Sequence, residues 1–90
     1  GNMMENLSEP DEMDKGVQPL DRIMRELLLT DEHLVDKSTD NLTFRMMAKG
    51  RKGRRIKSRN QLRILRALND CSPEKKFTHE ELFNYKGPAG

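Results

Sequence analysis

The apolar residues of this chain fall in short clusters at helical spacing, and a residue suited to starting a helix precedes each cluster. Leu20, Ile23, Met24, Leu27 and Leu28 recur on one helix face, with Pro19 at a position where a missing N–H costs nothing. Thr30 is placed to cap a second, short helix, with Asp31 and Glu32 at its positive end and Leu34 and Val35 facing inward. Ser38 to Leu42 is a run of turn formers, after which Thr43 can cap a third helix whose inward residue is Met46 or Met47. Gly50 is expected to interrupt this helix and Gly53 to end it, leaving a frayed last turn that leads into a basic loop. Ser58 and Gln61 have capping-box spacing ahead of Leu62, Ile64, Leu65 and Leu68, which predicts a fourth helix to about Asn69. Thr78 and Glu81 repeat the box, with Phe77 and Leu82 as its hydrophobic staple, for a fifth helix over about His79 to Tyr85. The expected fold is all-α, a bundle of four to five short helices.

Only 33% of the 90 residues are hydrophobic, so the chain holds one small domain with little stability in reserve. Residues 1–16 are polar, carry no sustained period and are expected to form a flexible acidic arm; residues 17–85 are the expected domain, and 86–90 a flexible tail. The lone Cys71 allows no intrachain disulfide, and His33 and His79 lack the spacing of a metal site; both read as first-turn helix residues. No metal or cofactor is therefore expected. Neither a nucleophile–base pair nor a Gly-rich phosphate loop is present, so no enzymatic activity or small-molecule substrate is expected. No apolar run approaches the roughly 18 residues of a membrane span, and a cytoplasmic protein without a signal peptide is the default reading.

The net charge of +2 conceals a strong separation of sign. Between Asn41 and Asn69 there are ten basic residues and no acidic one, whereas residues 1–40 hold eleven Asp and Glu against four Lys and Arg. Like charges at that density repel unless a polyanion is bound, and a merely soluble surface would mix both signs. Arg51, Lys52, Arg54, Arg55, Lys57 and Arg59 can follow a phosphate backbone and release counterions. Arg45 can offer a bidentate fork to a guanine edge, and Phe44 can meet a thymine methyl or join the core. The Gly-Arg-Lys-Gly-Arg-Arg run is similar to a minor-groove hook, but the proline that fixes such a hook is missing.

Residues Leu20 to Leu68, and less closely Thr78 to Tyr85, resemble lambda-repressor-like (Xre-type) helix-turn-helix domains, and Leu42-Thr43 through Lys49-Gly50-Arg51-Lys52-Gly53-Arg54-Arg55, followed by Ala67-Leu68-Asn69, form a pattern that is more closely similar to certain small bacterial proteins. The turn is longer than usual in such domains, and Val35 and Gly50 stand where a small Ala and an aliphatic residue are customary. The resemblance implies that Leu34, Val35, Leu42 and Met47 pack the helix-turn-helix and that Thr43 caps a recognition helix. It further implies that Thr43, Phe44, Arg45, Ala48 and Lys49 face the bases of double-stranded DNA. Such proteins commonly act as two-fold dimers, for which Leu82, Phe83 and Tyr85 are the expected exposed apolar contact. Sequence-selective DNA binding by a small transcriptional regulator is the leading expectation. The alternatives are an RNA-binding or ribosome-associated protein that uses the same basic patch, and a protein-interaction adaptor of the antitoxin type, with the acidic arm able to lie over the basic face.

Overall fold

Five α-helices follow one another in the computed structural model, which describes residues 14–89: α1 (Pro19–Glu26), α2 (Asp31–Lys37), α3 (Phe44–Lys52), α4 (Ser58–Cys71) and α5 (His79–Leu82). The expected all-α bundle is what forms. Its core joins Leu20 and Met24 of α1, Leu34 of α2, Met47 of α3, and Ile64, Ala67 and Leu68 of α4, with Leu42, Ile56, Leu82 and Phe83 closing the sides. Most of the proposed arm, residues 1–13, lies outside the described residues.

The starts of α2, α3 and α5 have identifiable causes. Thr30 Oγ1 accepts from the His33 N–H at 3.2 Å, and His33 Nδ1 accepts in return from the Thr30 N–H at 3.0 Å. Thr43 Oγ1 likewise accepts from the Met46 N–H at 3.1 Å, and the Glu81 carboxylate accepts from the Thr78 N–H at 2.8 Å. Between α2 and α3 the Ser38 hydroxyl accepts from the N–H groups of Asp40 and Leu42, and Asn41 takes a left-handed φ of 68°. Arg66 of α4 then holds this turn down by donating from Nε to Asp40 Oδ2 at 2.9 Å.

Several sequence expectations are corrected. The first helix stops at Glu26, because Leu28 adopts φ 59° and the Leu29 N–H reaches back to the Met24 carbonyl, closing a Schellman turn with leucine in the usual glycine position. Leu27 and Leu28 are thereby turned out, and Leu28 is 83% exposed. Gly50 does not interrupt α3. It lies buried inside the helix, where a Cβ would come within 2.8 Å of Ile64 Cδ1, so the missing side chain lets α3 and α4 approach closely. The helix instead ends at Gly53, whose φ of 93° no β-carbon would tolerate here, since a Cβ would overlap the Gly16 carbonyl.

The Ser58–Gln61 capping box is also absent: Lys57 is the N-cap of α4 with no side-chain cap, and Gln61 turns inward instead. There its Oε1 accepts from the Gly87 N–H at 2.8 Å and faces His79 Nε2 at 2.7 Å, while its Nε2 donates to the Tyr85 carbonyl at 3.2 Å. Leu62, assigned to the buried stripe, is exposed. The fifth helix is a single turn, and Phe83 continues in extended conformation.

The domain is longer at both ends than its apolar pattern suggests. Lys15 donates its N–H to the Gly53 carbonyl at 2.7 Å, and Asp14 bridges Arg54, so residues 14–16 dock on the end of α3. At the other end the Ser58 N–H donates to the Pro88 carbonyl at 2.9 Å, and a Cβ on Gly87 would lie only 2.3 Å from the Ile56 carbonyl oxygen. Leu82 and Phe83, expected to be exposed for a second copy, are core residues, and Tyr85 packs partly buried against them.

Candidate nucleic-acid interface

The sequence that makes α3 amphipathic also decides which cations it presents. Met47 and Gly50 are buried and Met46 is half-buried, while Phe44, Arg45, Ala48 and Lys52 are exposed and Lys49 is partly so. This outward face borders the segment that leads into α4, and the two enclose a groove of about 370 Å³. Arg45, Lys49, Arg55, Lys57 and Arg59 line it together with Thr43 and Asn60, over an apolar floor of Met46 and Ile56. Five cations and no carboxylate line the groove, so its field has one sign and favours an anion long enough to touch several of them.

The basic segment is pinned rather than loose. Ile56 is buried, and its N–H donates to the Tyr85 hydroxyl at 3.0 Å, while the tie from Ser58 to Pro88 fixes the next turn. Tyr85 thus holds the groove wall from behind. The buried Gln18 connects the two ends of the chain, donating to the Lys15 and Gly16 carbonyls and accepting from the Asn84 N–H at 2.8 Å. Ordering these backbones in advance spares part of the entropy that a flexible basic loop would lose on binding.

The ten cations do not act as one set. Arg51 faces away from the groove and bridges three elements, with Nε 2.8 Å from Asp21 Oδ1 and Nη1 2.8 Å from Asp31 Oδ1. Burial disfavours its charge, but the hydrogen bonds to Asp31 and Asp21 outweigh that effect and raise the guanidinium pKa above its ordinary value. Arg66 is occupied by Asp40, whose carboxyl the guanidinium holds below its usual range. Among the described residues, Arg45, Lys49, Lys57 and Arg59 pair with no carboxylate. The structure therefore brings Thr43, Arg45 and Lys49 together with Arg55, Lys57 and Arg59, puts Phe44 and Ala48 beside them on α3, and takes Arg51 out. Lys52 and Arg54 are exposed nearby but do not line the groove. Asn60 was missed. Its only signal was its place two residues after Ser58, on the first turn of a helix preceded by cations.

A larger hollow of about 580 Å³ at the C-terminal end of α4 is lined by Leu29, His33, Asp36, Lys37, Asp70, Cys71 and Pro73. Its chemistry is committed elsewhere: the His33 ring caps α2, and Cys71 Sγ donates to the His33 carbonyl. Burial also pushes the Cys71 thiol pKa up, away from the reactive thiolate. Among the described residues no group of three or more His, Cys, Asp and Glu is placed to hold a metal, and no helix is long and apolar enough to cross a membrane.

Comparison of the chain with family models, curated proteins and solved structures gave no match.

Proposed function

We propose that this protein binds double-stranded DNA with sequence selectivity, as a small regulator of transcription related to the lambda-repressor-like helix-turn-helix domains. The observation that carries this reading is the one-signed groove between α3 and the start of α4. Thr43, Phe44, Arg45, Ala48 and Lys49 face base edges in this reading, because they lie at the cap and on the side of the two-and-a-half-turn α3 opposite the buried Met47 and Gly50. Lys52, Arg54, Arg55, Lys57 and Arg59 contact phosphates along the flank. Arg51 is left out of that set, since its guanidinium is committed to Asp21 and Asp31. The aromatic content of the basic surface argues against a reader of single strands: Phe44 alone supplies no stacking platform for successive bases.

Fluorescence anisotropy against a duplex pool and a structured-RNA pool, at two salt concentrations, tests the proposal. Wild type should select particular duplexes, and Arg45→Ala with Lys49→Ala should keep only unselective, salt-dependent binding, losing roughly 1–3 kcal/mol of discrimination per base contact. Preference for hairpin RNA, or no binding to either pool at moderate salt, would remove DNA recognition as the function.

A further inference from the structure

The exposed face of α3 is not uniformly cationic. At about 100° per residue, Phe44, Ala48, Lys52, Arg45 and Lys49 follow one another around the helix in that order, within an arc of about 140°. Apolar side chains occupy one edge of this arc and cations the other. Phe44 is 56% exposed, whereas Phe83 is buried and Phe77 packs partly buried against the core. Ala48 lies one turn along from Phe44 on the same face and is also exposed. Phe44 stands at the first position of the helix, fixed by the Thr43 cap just before it. Its backbone is thus fixed at the edge of a cationic helix face, and more than half of the residue is open to solvent.

From this arrangement we infer that Phe44 and Ala48 form an apolar edge that reads the C5-methyl groups of thymine in the major groove, while Arg45 and Lys49 read adjacent polar base edges. The inference rests on the DNA-binding reading above and adds the class of base recognised. Of the groups a duplex displays in the major groove, the thymine methyl is the apolar one, and Phe and Ala are side chains suited to it. Its placement next to an Arg fits a site in which thymine neighbours guanine, the partner of a bidentate guanidinium. The flanking cations supply the charge complementarity that would hold the apolar edge against a polyanion rather than against an apolar protein surface.

The test separates this inference from the reading beneath it. The tightest duplex recovered from a random-sequence pool by the wild-type protein is resynthesised with each thymine in turn replaced by deoxyuridine, which removes the methyl and keeps the base pairing. Affinity for each duplex is then measured for wild type, Phe44→Ala and Phe44→Leu. One or two replacements should weaken wild type about three- to fivefold, the worth of one buried methyl group. At least one of these replacements, the one facing Phe44, should leave Phe44→Ala unchanged and still weaken Phe44→Leu. Selective duplex binding by wild type with no response to any replacement, or equal responses in wild type and Phe44→Ala, would overturn the inference and leave the DNA-binding reading standing. Recovery of no selected duplex would overturn both.

Discussion

Arg51 and Lys52 are neighbours in the sequence in opposite settings, and if the proposed DNA binding holds, replacing each by Ala should separate stability from binding. The Arg51 side chain is 20% exposed and lies 2.8 Å from carboxylate oxygens of both Asp21 and Asp31. Hydrogen bonds to charged groups contribute about 1.5–3 kcal/mol each, and Arg51→Ala also leaves two acidic groups without their partner. Partial exposure screens part of that effect, which brings the expected loss to about 2–3 kcal/mol. For a domain of this size the melting temperature should fall by roughly 10–20 °C. Lys52 is exposed and makes no such contact among the described residues, so Lys52→Ala should change stability by less than about 0.5 kcal/mol. Urea unfolding followed by circular dichroism measures both. In DNA binding the order reverses: Lys52→Ala should lower the slope of log affinity against log salt by about 0.9, and Arg51→Ala, assayed where it is folded, should leave the slope intact. Equal stability of the two variants, or a slope lost with Arg51 and kept without Lys52, would refute the division between structural and binding cations.

Gln61→Leu should destabilise the domain by about 2–4 kcal/mol, because it strands the Gly87 N–H and the Tyr85 carbonyl that the buried amide joins; limited proteolysis should then cut the C-terminal segment first. Leu28→Gly should be stabilising by about 0.5–1 kcal/mol, since it relieves a left-handed leucine whose side chain is exposed; a loss of stability in thermal melts would mean that the leucine packs against something. The Arg66 hydrogen bond, with a smaller contribution from Ser38, holds the Asp40 carboxyl pKa below its ordinary value. A depressed folded-state pKa stabilises above the unfolded-state value and loses that effect as pH falls through the folded one. Asp40→Asn should therefore be less stable than wild type near neutral pH, and the gap should close as pH falls through the lowered Asp40 value; a gap independent of pH would contradict the ion pair.

Local signals carried most of the fold. The Thr30, Thr43 and Thr78 starts depend on residues within three positions, and the structure forms each helix where they predict. The readings that failed needed tertiary knowledge. Gly50 resembles a helix breaker until Ile64 is known to lie against it. Gln61 looks like half of a capping box until the C-terminal segment, 26 residues away in the case of Gly87, is seen to claim its amide. Leu82, Phe83 and Tyr85 read as a free apolar face because a seven-residue helix would expose one side, whereas a single turn followed by extended chain folds all three onto the core. Five members of the charge run, Arg45, Lys49, Arg55, Lys57 and Arg59, come together along one groove. Which of its members turn outward could not be read from the run, because Asp21, Asp31 and Asp40, the partners of Arg51 and Arg66, lie 20 to 30 residues away.

The most direct test is a titration of the isotopically labelled protein with a selected duplex, followed residue by residue through its amide NMR signals. Binding through the groove predicts the largest shifts over Thr43 to Lys49 and Arg55 to Asn60, with the hollow lined by Leu29, Cys71 and Pro73 unmoved. Shifts centred on that hollow, or none along α3 at saturating duplex, would contradict the account.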